Sequence, residues 1–228
     1  MRTLVFLALL IVAGYLGWSR FDPSDSFRYR LILTAEVDGR LVSGTSVVQI
    51  DYRELSLYWL LPDDPGGPVK AKARGEALVL DLGAHGLLFA TLDLCRHYPR
   101  YVVLDVVLCA WNGRPARSMN DLQAVRDLPP VELPFERLPM LVRFRDIADP
   151  ETVERVEPED LPAKFGPGVR LVGAKIEMTT DPVTQGITMI LPWLARMRPK
   201  GNSLPRRFGQ IGKPFRMLSY QDFLRPGE

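Results

Sequence analysis

The chain has 228 residues, of which 46% are hydrophobic and 25% charged. That is enough apolar material for one ordinary core, and it excludes a disordered chain. Two cysteines exclude a disulfide-built scaffold, and the net charge of +2 hides an asymmetry: residues 1–195 sum to −4 and residues 196–228 to +6.

The opening segment "MRTLVFLALLIVAGYLGWSR" is uncharged from Thr3 to Ser19, between Arg2 and Arg20. As a helix it reaches about 25 Å, near the lower limit for crossing a hydrocarbon core of about 30 Å. It reads as a transmembrane anchor or a cleaved signal peptide. The small-residue pairs Gly17/Ser19 and Val12/Gly14 fit a cleavage site poorly, so a retained anchor is the expectation. Tyr15 and Trp18 suit the headgroup level. Tyr15 also stands where a lipoprotein box would need its acylated cysteine. A buried first helix would need protein on every side of the segment. The default orientation leaves the short N-terminus in the cytoplasm and exports the rest. That describes a single-pass protein of a bacterial inner membrane with a periplasmic domain, or a secreted one if the segment is cut.

After "FDPSDS", Tyr29, Leu31, Leu33, Ala35 and Val37 alternate on one face. Asp38-Gly39 is the pair a type I′ turn requires, and a second strand runs from about Leu41 to Ile50. "SLYWLLP" is a short strand or an apolar turn, and "DDPGGP" is a loop. "VKAKARGEALVLDLG" and "GLLFATLDL" read as strands joined near "GAHG", and "YVVLDVVLCAW" continues the sheet. "SMNDLQAVRDL" reads as a short helix capped by Ser118 or Asn120 and stopped by Pro129 and Pro130. "MLVRF" and "GVRLVGAKIEM" follow as strands. "DPVTQGITMILPWL" reads as a helix with Asp181 at its N-cap and Pro182 as its first residue, with Val183, Ile187, Ile190 or Leu191, and Leu194 on one face. Residues 21–195 thus form an α+β domain: a mostly antiparallel sheet with a few short helices. Residues 196–228 carry Pro and Gly too often for long elements and read as a basic irregular arm. Phe208, Phe215, Tyr220 and Phe223 are its apolar anchors.

The stretch from Asp146 to Asp160 holds seven carboxylates. A calcium loop alternates its oxygens around a glycine at the sharp turn, and Asp146, Asp149, Glu151 and Glu154 follow no such order. Asp149-Pro150 and Glu157-Pro158 instead place acids at the start of helical turns, where free N–H groups and the helix dipole favour negative charge. No metal or cofactor is expected.

Other chemistry is sparse. Cys95 and Cys109 sit in apolar runs and read as buried thiols or one disulfide. There is no phosphate-cradling loop, nucleophile elbow or H-E-x-x-H pair. His85 in "GAHG" reads as a turn residue, which leaves His97 as the other histidine. A site assembled from Asp81, His85, Asp105 and Asp146 is the enzymatic alternative, an envelope hydrolase or transferase. In the arm, Arg196, Arg198, Lys200, Arg206, Arg207, Lys213 and Arg216 are candidates for contact with an anionic membrane surface. The competing reading folds the arm back onto the −4 domain. Nucleic acid is not an expected partner.

The block "LPMLVRFRDIADPETVERVEPEDLPAKFGPGVRLVGAKIEMTTDPVTQGITMILPWL", Leu138 to Leu194, resembles one found in uncharacterised bacterial proteins that begin with a hydrophobic segment. The resemblance implies location and architecture and transfers no catalytic residue. The leading expectation is a non-enzymatic, membrane-anchored envelope protein whose domain binds another protein.

Overall fold

The computed structural model describes residues 23–55, 68–92, 110, 119–197 and 220–226. The N-terminal segment, "SLYWLLP", "YVVLDVVLC", both cysteines, His97, Asp105 and most of the basic arm lie outside the described residues. Among those described, no helix is long and apolar enough to cross a membrane.

Strands β1 (Ser24–Val37) and β2 (Arg40–Glu54) form the predicted hairpin, with β2 running four residues past the expected Ile50. Asp38 and Gly39 both take positive φ, 51° and 81°, as a type I′ turn demands. The alternation holds: Tyr29, Leu31, Leu33 and Ala35 are buried, while Arg28, Arg30, Ile32, Thr34 and Glu36 line the opposite face. The other strands are β3 (Val69–Glu76), β4 (Leu78–Asp81), β5 (Leu87–Ala90), β6 (Val131–Glu132), β7 (Leu141–Phe144), β8 (Val153–Val156), β9 (Val169–Met178) and β10 (Leu224–Arg225). They build two sheets, ordered β10-β3-β2-β1-β9-β6 and β4-β5-β7-β8, and every pairing is antiparallel. The run read as one strand, "VKAKARGEALVLDLG", divides at Ala77 and passes from the larger sheet into the smaller.

The smaller sheet is the middle layer. Leu78, Leu80, Leu88, Ala90, Leu141 and Val156 face the inner side of the larger sheet and join Leu33, Ile50 and Ile176 in the main core. Val79, Phe89, Val142 and Phe144 point the other way, into a second core. There they meet the short helices α3 (Ile187–Ile190), α4 (Trp193–Met197) and α5 (Tyr220–Phe223). Burial on both faces explains why "LVL" and "LLFA" are continuously apolar instead of alternating. The layers come into close contact at Gly44 of β2. A Cβ there would lie 2.6 Å from the carbonyl oxygen of Val79.

Helix α1 (Met119–Gln123), continued by a 3₁₀ turn over Ala124–Asp127, forms where a short helix is expected; of its two candidate caps, Asn120 lies inside the helix and Ser118 lies outside the described residues. The helix expected from Asp181 does not form over 181–186. Arg28 Nη1 donates to the carbonyls of Thr180 and Asp181, each at 3.1 Å. Thr184 exchanges two bonds with Val47 of β2. Those contacts hold the segment flat across the larger sheet and occupy backbone groups a helix would need. Helix α3 starts only at Ile187, whose N–H donates to the Glu76 carboxylate at 2.7 Å. Pro192, which lacks an N–H, separates α3 from α4.

Within the acidic stretch, Asp149 caps as expected: its carboxylate accepts the N–H of Glu151 at 2.8 Å, with Pro150 in the first turn. Asp146 closes its own turn onto Ala148 N at 2.9 Å. Glu157 and Asp160 make no side-chain cap at the turn and helix that follow them, the latter being α2 (Leu161–Phe165). Glu154 does something else again, taking ion pairs from Arg143, Arg145 and Lys164. Asp149→Ala is therefore expected to cost about 1 kcal/mol, the usual loss of an N-cap, in a denaturant titration. Asp181→Ala removes only an exposed pair with Arg30, and it should cost less than about 1 kcal/mol.

Candidate binding surface

The inner face of the larger sheet takes the apolar side chains, so its outer face carries the polar ones, and these are wired to one another. Arg28 Nε donates to Gln49 Oε1 at 2.8 Å, and Gln49 Nε2 donates to Asp51 Oδ1 at 2.7 Å. Arg74 grips Asp51 with two nitrogens, at 2.5 and 2.8 Å. Burial pushes the Asp51 carboxyl up, but the bonds from Arg74 and Gln49 outweigh it and hold the group below the usual carboxylate range. A second set joins β1 to β9: Arg30 and Lys175 both pair with Glu177, at 2.5 and 3.2 Å, and Arg30 also reaches Asp181. Hydrogen bonds from Arg30 and then Lys175 hold Glu177 below its ordinary range. These pairs pin side chains flat, and no described helix covers them.

At the Ser24 end of the sheet β9 stops at Met178 while β1 continues, which leaves the edge of Ser24–Phe27 without a strand partner on that side among the described residues. Arg126, just beyond α1, reaches across to the Asp25 carboxylate and the Ser26 carbonyl. Burial pushes the Asp25 carboxyl up, and the Ser26 N–H and Arg126 more than offset it. Beneath, Tyr52 packs its ring on Phe27 with centroids 5.9 Å apart, and its hydroxyl is pushed up by burial and by the Asp25 charge. An open cleft of about 710 Å³ lies here, lined by Ser26, Phe27, Arg28, Arg126, Met178, Thr179 and Thr180. Two guanidinium groups, three hydroxyls and two apolar side chains suit binding of an anionic or hydrogen-bonding group. No pairing of nucleophile with base is present in that described lining.

The opposite end is closed by a histidine. His85 sits in the 3₁₀ turn joining β4 to β5, with Nδ1 2.6 Å from the Phe165 carbonyl and Nε2 3.0 Å from the Asp38 carboxylate. Both partners accept, so both ring nitrogens donate only in the imidazolium form. The bond to Asp38, then that to Phe165, raises the pKa of His85. A raised folded value means that the stabilisation is fully present below the ordinary value of about 6.5 and is lost as pH rises through the folded value. The denaturation midpoint is accordingly expected to fall as pH rises above about 6.5, and His85→Gln should flatten that slope.

Of the four residues of the enzymatic alternative, the three described ones are each engaged in a separate contact. Asp81 accepts the Gly83 N–H at 2.8 Å in its own turn, His85 is committed as above, Asp146 closes a separate turn, and Asp105 lies outside the described residues. Of the basic arm, Arg196 is exposed near the end of α4; Arg198, Lys200, Arg206, Arg207, Lys213 and Arg216 lie outside the described residues. The end of the arm docks through two of its expected anchors, Tyr220 and Phe223, both buried. Sequence reasoning missed the Arg126–Asp25 and Arg28–Gln49–Asp51–Arg74 contacts, because partners so distant in sequence leave no local pattern. The one available signal was Lys70, Lys72 and Arg74 alternating in "VKAKARGE", which marks the outer row of β3. Comparison with known proteins finds no matching family model, no similar curated protein and no similar solved structure.

Proposed function

We propose that the chain is a membrane-anchored envelope protein whose domain binds another protein and performs no chemistry of its own. The observation that carries this reading is the open, pre-ordered outer face of the larger sheet, with its cleft at the Ser24 end. Ser24 begins β1 five residues after Ser19, so an anchored segment 3–19 would hold that end within about 17 Å of the bilayer. The fixed ion pairs favour recognition, since partners then meet side chains that have already lost their rotamer freedom. The resemblance of Leu138–Leu194 to bacterial proteins with a hydrophobic N-terminus supports the same location.

The experiment has two parts. A reporter fused after Glu228 should score as exported, and the full chain should stay in the membrane pellet after alkaline extraction. N-terminal sequencing that begins near Tyr15 or Arg20 would replace the anchored form with a secreted one. Photo-crosslinking residues placed at Val172 and Lys175 on the outer face should then trap discrete adducts in cells, whereas one at Glu159 should not. Equal labelling from all three positions would remove the support for a dedicated face.

A further inference from the structure

Among the described residues the larger sheet guards parts of its edge and leaves others open. At its ends β6 and β10 are only two residues long, and β3 carries Lys70, Lys72 and Arg74 along its outer row. Short edges and edge lysines are the usual obstacles to unwanted strand pairing. Strand β2 has neither over Leu41–Thr45.

The turn settles which backbone groups point outward there. A two-residue type I′ turn makes Val37 and Arg40 a hydrogen-bonded pair, so even-numbered residues of β2 bond β1 and odd-numbered ones aim N–H and C=O away from it. Val47 obeys this parity: both its backbone groups go to Thr184, at 2.8 and 3.1 Å. From Gln49 onward the outward groups are taken by β3. Leu41, Ser43 and Thr45 remain, and among the described residues no strand or turn pairs with their outward edge. Their side chains are exposed, Leu41 by 67%, and Arg40 beside them is exposed with no carboxylate in reach among the described residues.

We infer that residues 41–45 of β2 form a docking edge that takes an extended segment of a partner protein as an added strand. This rests on the protein-binding reading above and specifies its mode. Three N–H and three C=O groups give the affinity, and the side chains select. Leu41 favours an apolar residue opposite it, Ser43 and Thr45 favour small or β-branched ones, and Arg40 favours a carboxylate at that end. A second copy of the chain is the poorer occupant. A single-strand edge five residues long, about 17 Å, offers far less surface than the roughly 1,200 Å² that a stable dimer interface buries.

The test uses the full chain in detergent micelles and, as probe, a capped pentapeptide of alternating valine and threonine that opens with a glutamate. Amide hydrogen exchange is read with and without millimolar peptide. The expected result is slowing of about tenfold or more at Leu41, Ser43 and Thr45, with the even-numbered amides of β2 already slow and unchanged. Ser43→Pro removes one outward N–H and no bond to β1, so it should leave the fold intact and abolish the effect, as edge prolines allow. Val42→Pro, which breaks the hairpin itself, is the contrast. The inference is overturned if the three amides are already slow without peptide, if peptide slows none of them, or if their protection rises with protein concentration alone, which would assign the edge to a second copy. Failure of the protein-binding reading looks different. Cleavage of the peptide, seen by mass spectrometry, would make the domain an enzyme while leaving strand addition in place.

Discussion

Gly44→Ala is expected to destabilise the domain by about 3 kcal/mol, the upper part of the range for overpacking. The added Cβ would stand 2.6 Å from the carbonyl oxygen of Val79, 3.1 Å from Leu80 Cα and 3.2 Å from Leu78 Cδ2. Two of those three atoms are backbone of β4, and β4 is pinned in register to β5 from Leu78–Ala90 to Asp81–Leu87. Leu78 and Leu80 are buried in the main core, so β4 has no empty space into which to retreat. The collision therefore separates the two sheets and is not absorbed by a rotamer change. Urea titration should show a lower midpoint with an unchanged slope. Gly168→Ala is the informative control. There the added Cβ runs into Asp38 Oδ1, the tip of an exposed side chain that can swing aside. Stability at a pH well above the His85 titration should barely change, but the carboxylate beside His85 is displaced and the pH dependence should weaken. A near-neutral Gly44→Ala would mean that the sheets do not cross at this glycine.

Phe223→Ala is expected to cost about 3–5 kcal/mol, the usual loss for a fully buried phenylalanine. Its ring lies 5.8 Å from that of Phe144 and 6.0 Å from that of Trp193, and Phe144 is in turn 5.4 Å from both Trp193 and Phe89. Edge-on and tilted contacts at these distances add to the area buried. The backbone around Phe223 matters as well. Its carbonyl accepts Ala77 N and the carbonyl of Asp222 accepts Leu92 N, each at 2.8 Å, while β10 pairs with Gly75 and Glu76. The truncation thus loosens a segment that ties the C-terminal residues to the hinge where β3 passes into β4. Phe223→Leu should recover much of the loss, because a well-filled site tolerates a smaller apolar side chain better than a void. If Phe223→Ala unfolds at the wild-type midpoint, the docking of residues 220–226 is wrong.

The β1–β2 hairpin was legible because every signal for it is local: alternation on one side, Asp38-Gly39 between, and a second alternating run. The antiparallel character and the short helix near Leu122 followed from similar local patterns. The division into two sheets was not legible. "LVL" and "LLFA" face protein on both sides, so they carry no period-two signal to assign a layer. Asp181-Pro182 misled for a different reason. Its sequence is a sound helix start, but Arg28, from the first strand, claims the carbonyls of Thr180 and Asp181, and tertiary contacts override local preference. The same remoteness hid the cleft. Arg126 and Asp25 are brought together only by the fold, whereas Asp149 and its cap could be read because donor and acceptor are two residues apart.

The central position of β1 also determines how the domain answers force. If residues 3–19 are held in a bilayer and a partner pulls on the domain, tension enters at Ser24 and runs along the axis of β1. That strand is flanked by β2 along its whole length and by β9 from Tyr29 to Val37, and its ladder bonds lie perpendicular to the pull. They are loaded together in shear, instead of one after another as in an unzipping hairpin. A domain stretched between Ser24 and Gly168 should therefore resist more force before yielding than one stretched between Asp38 and Gly168, where the load falls on a few bonds at the tip.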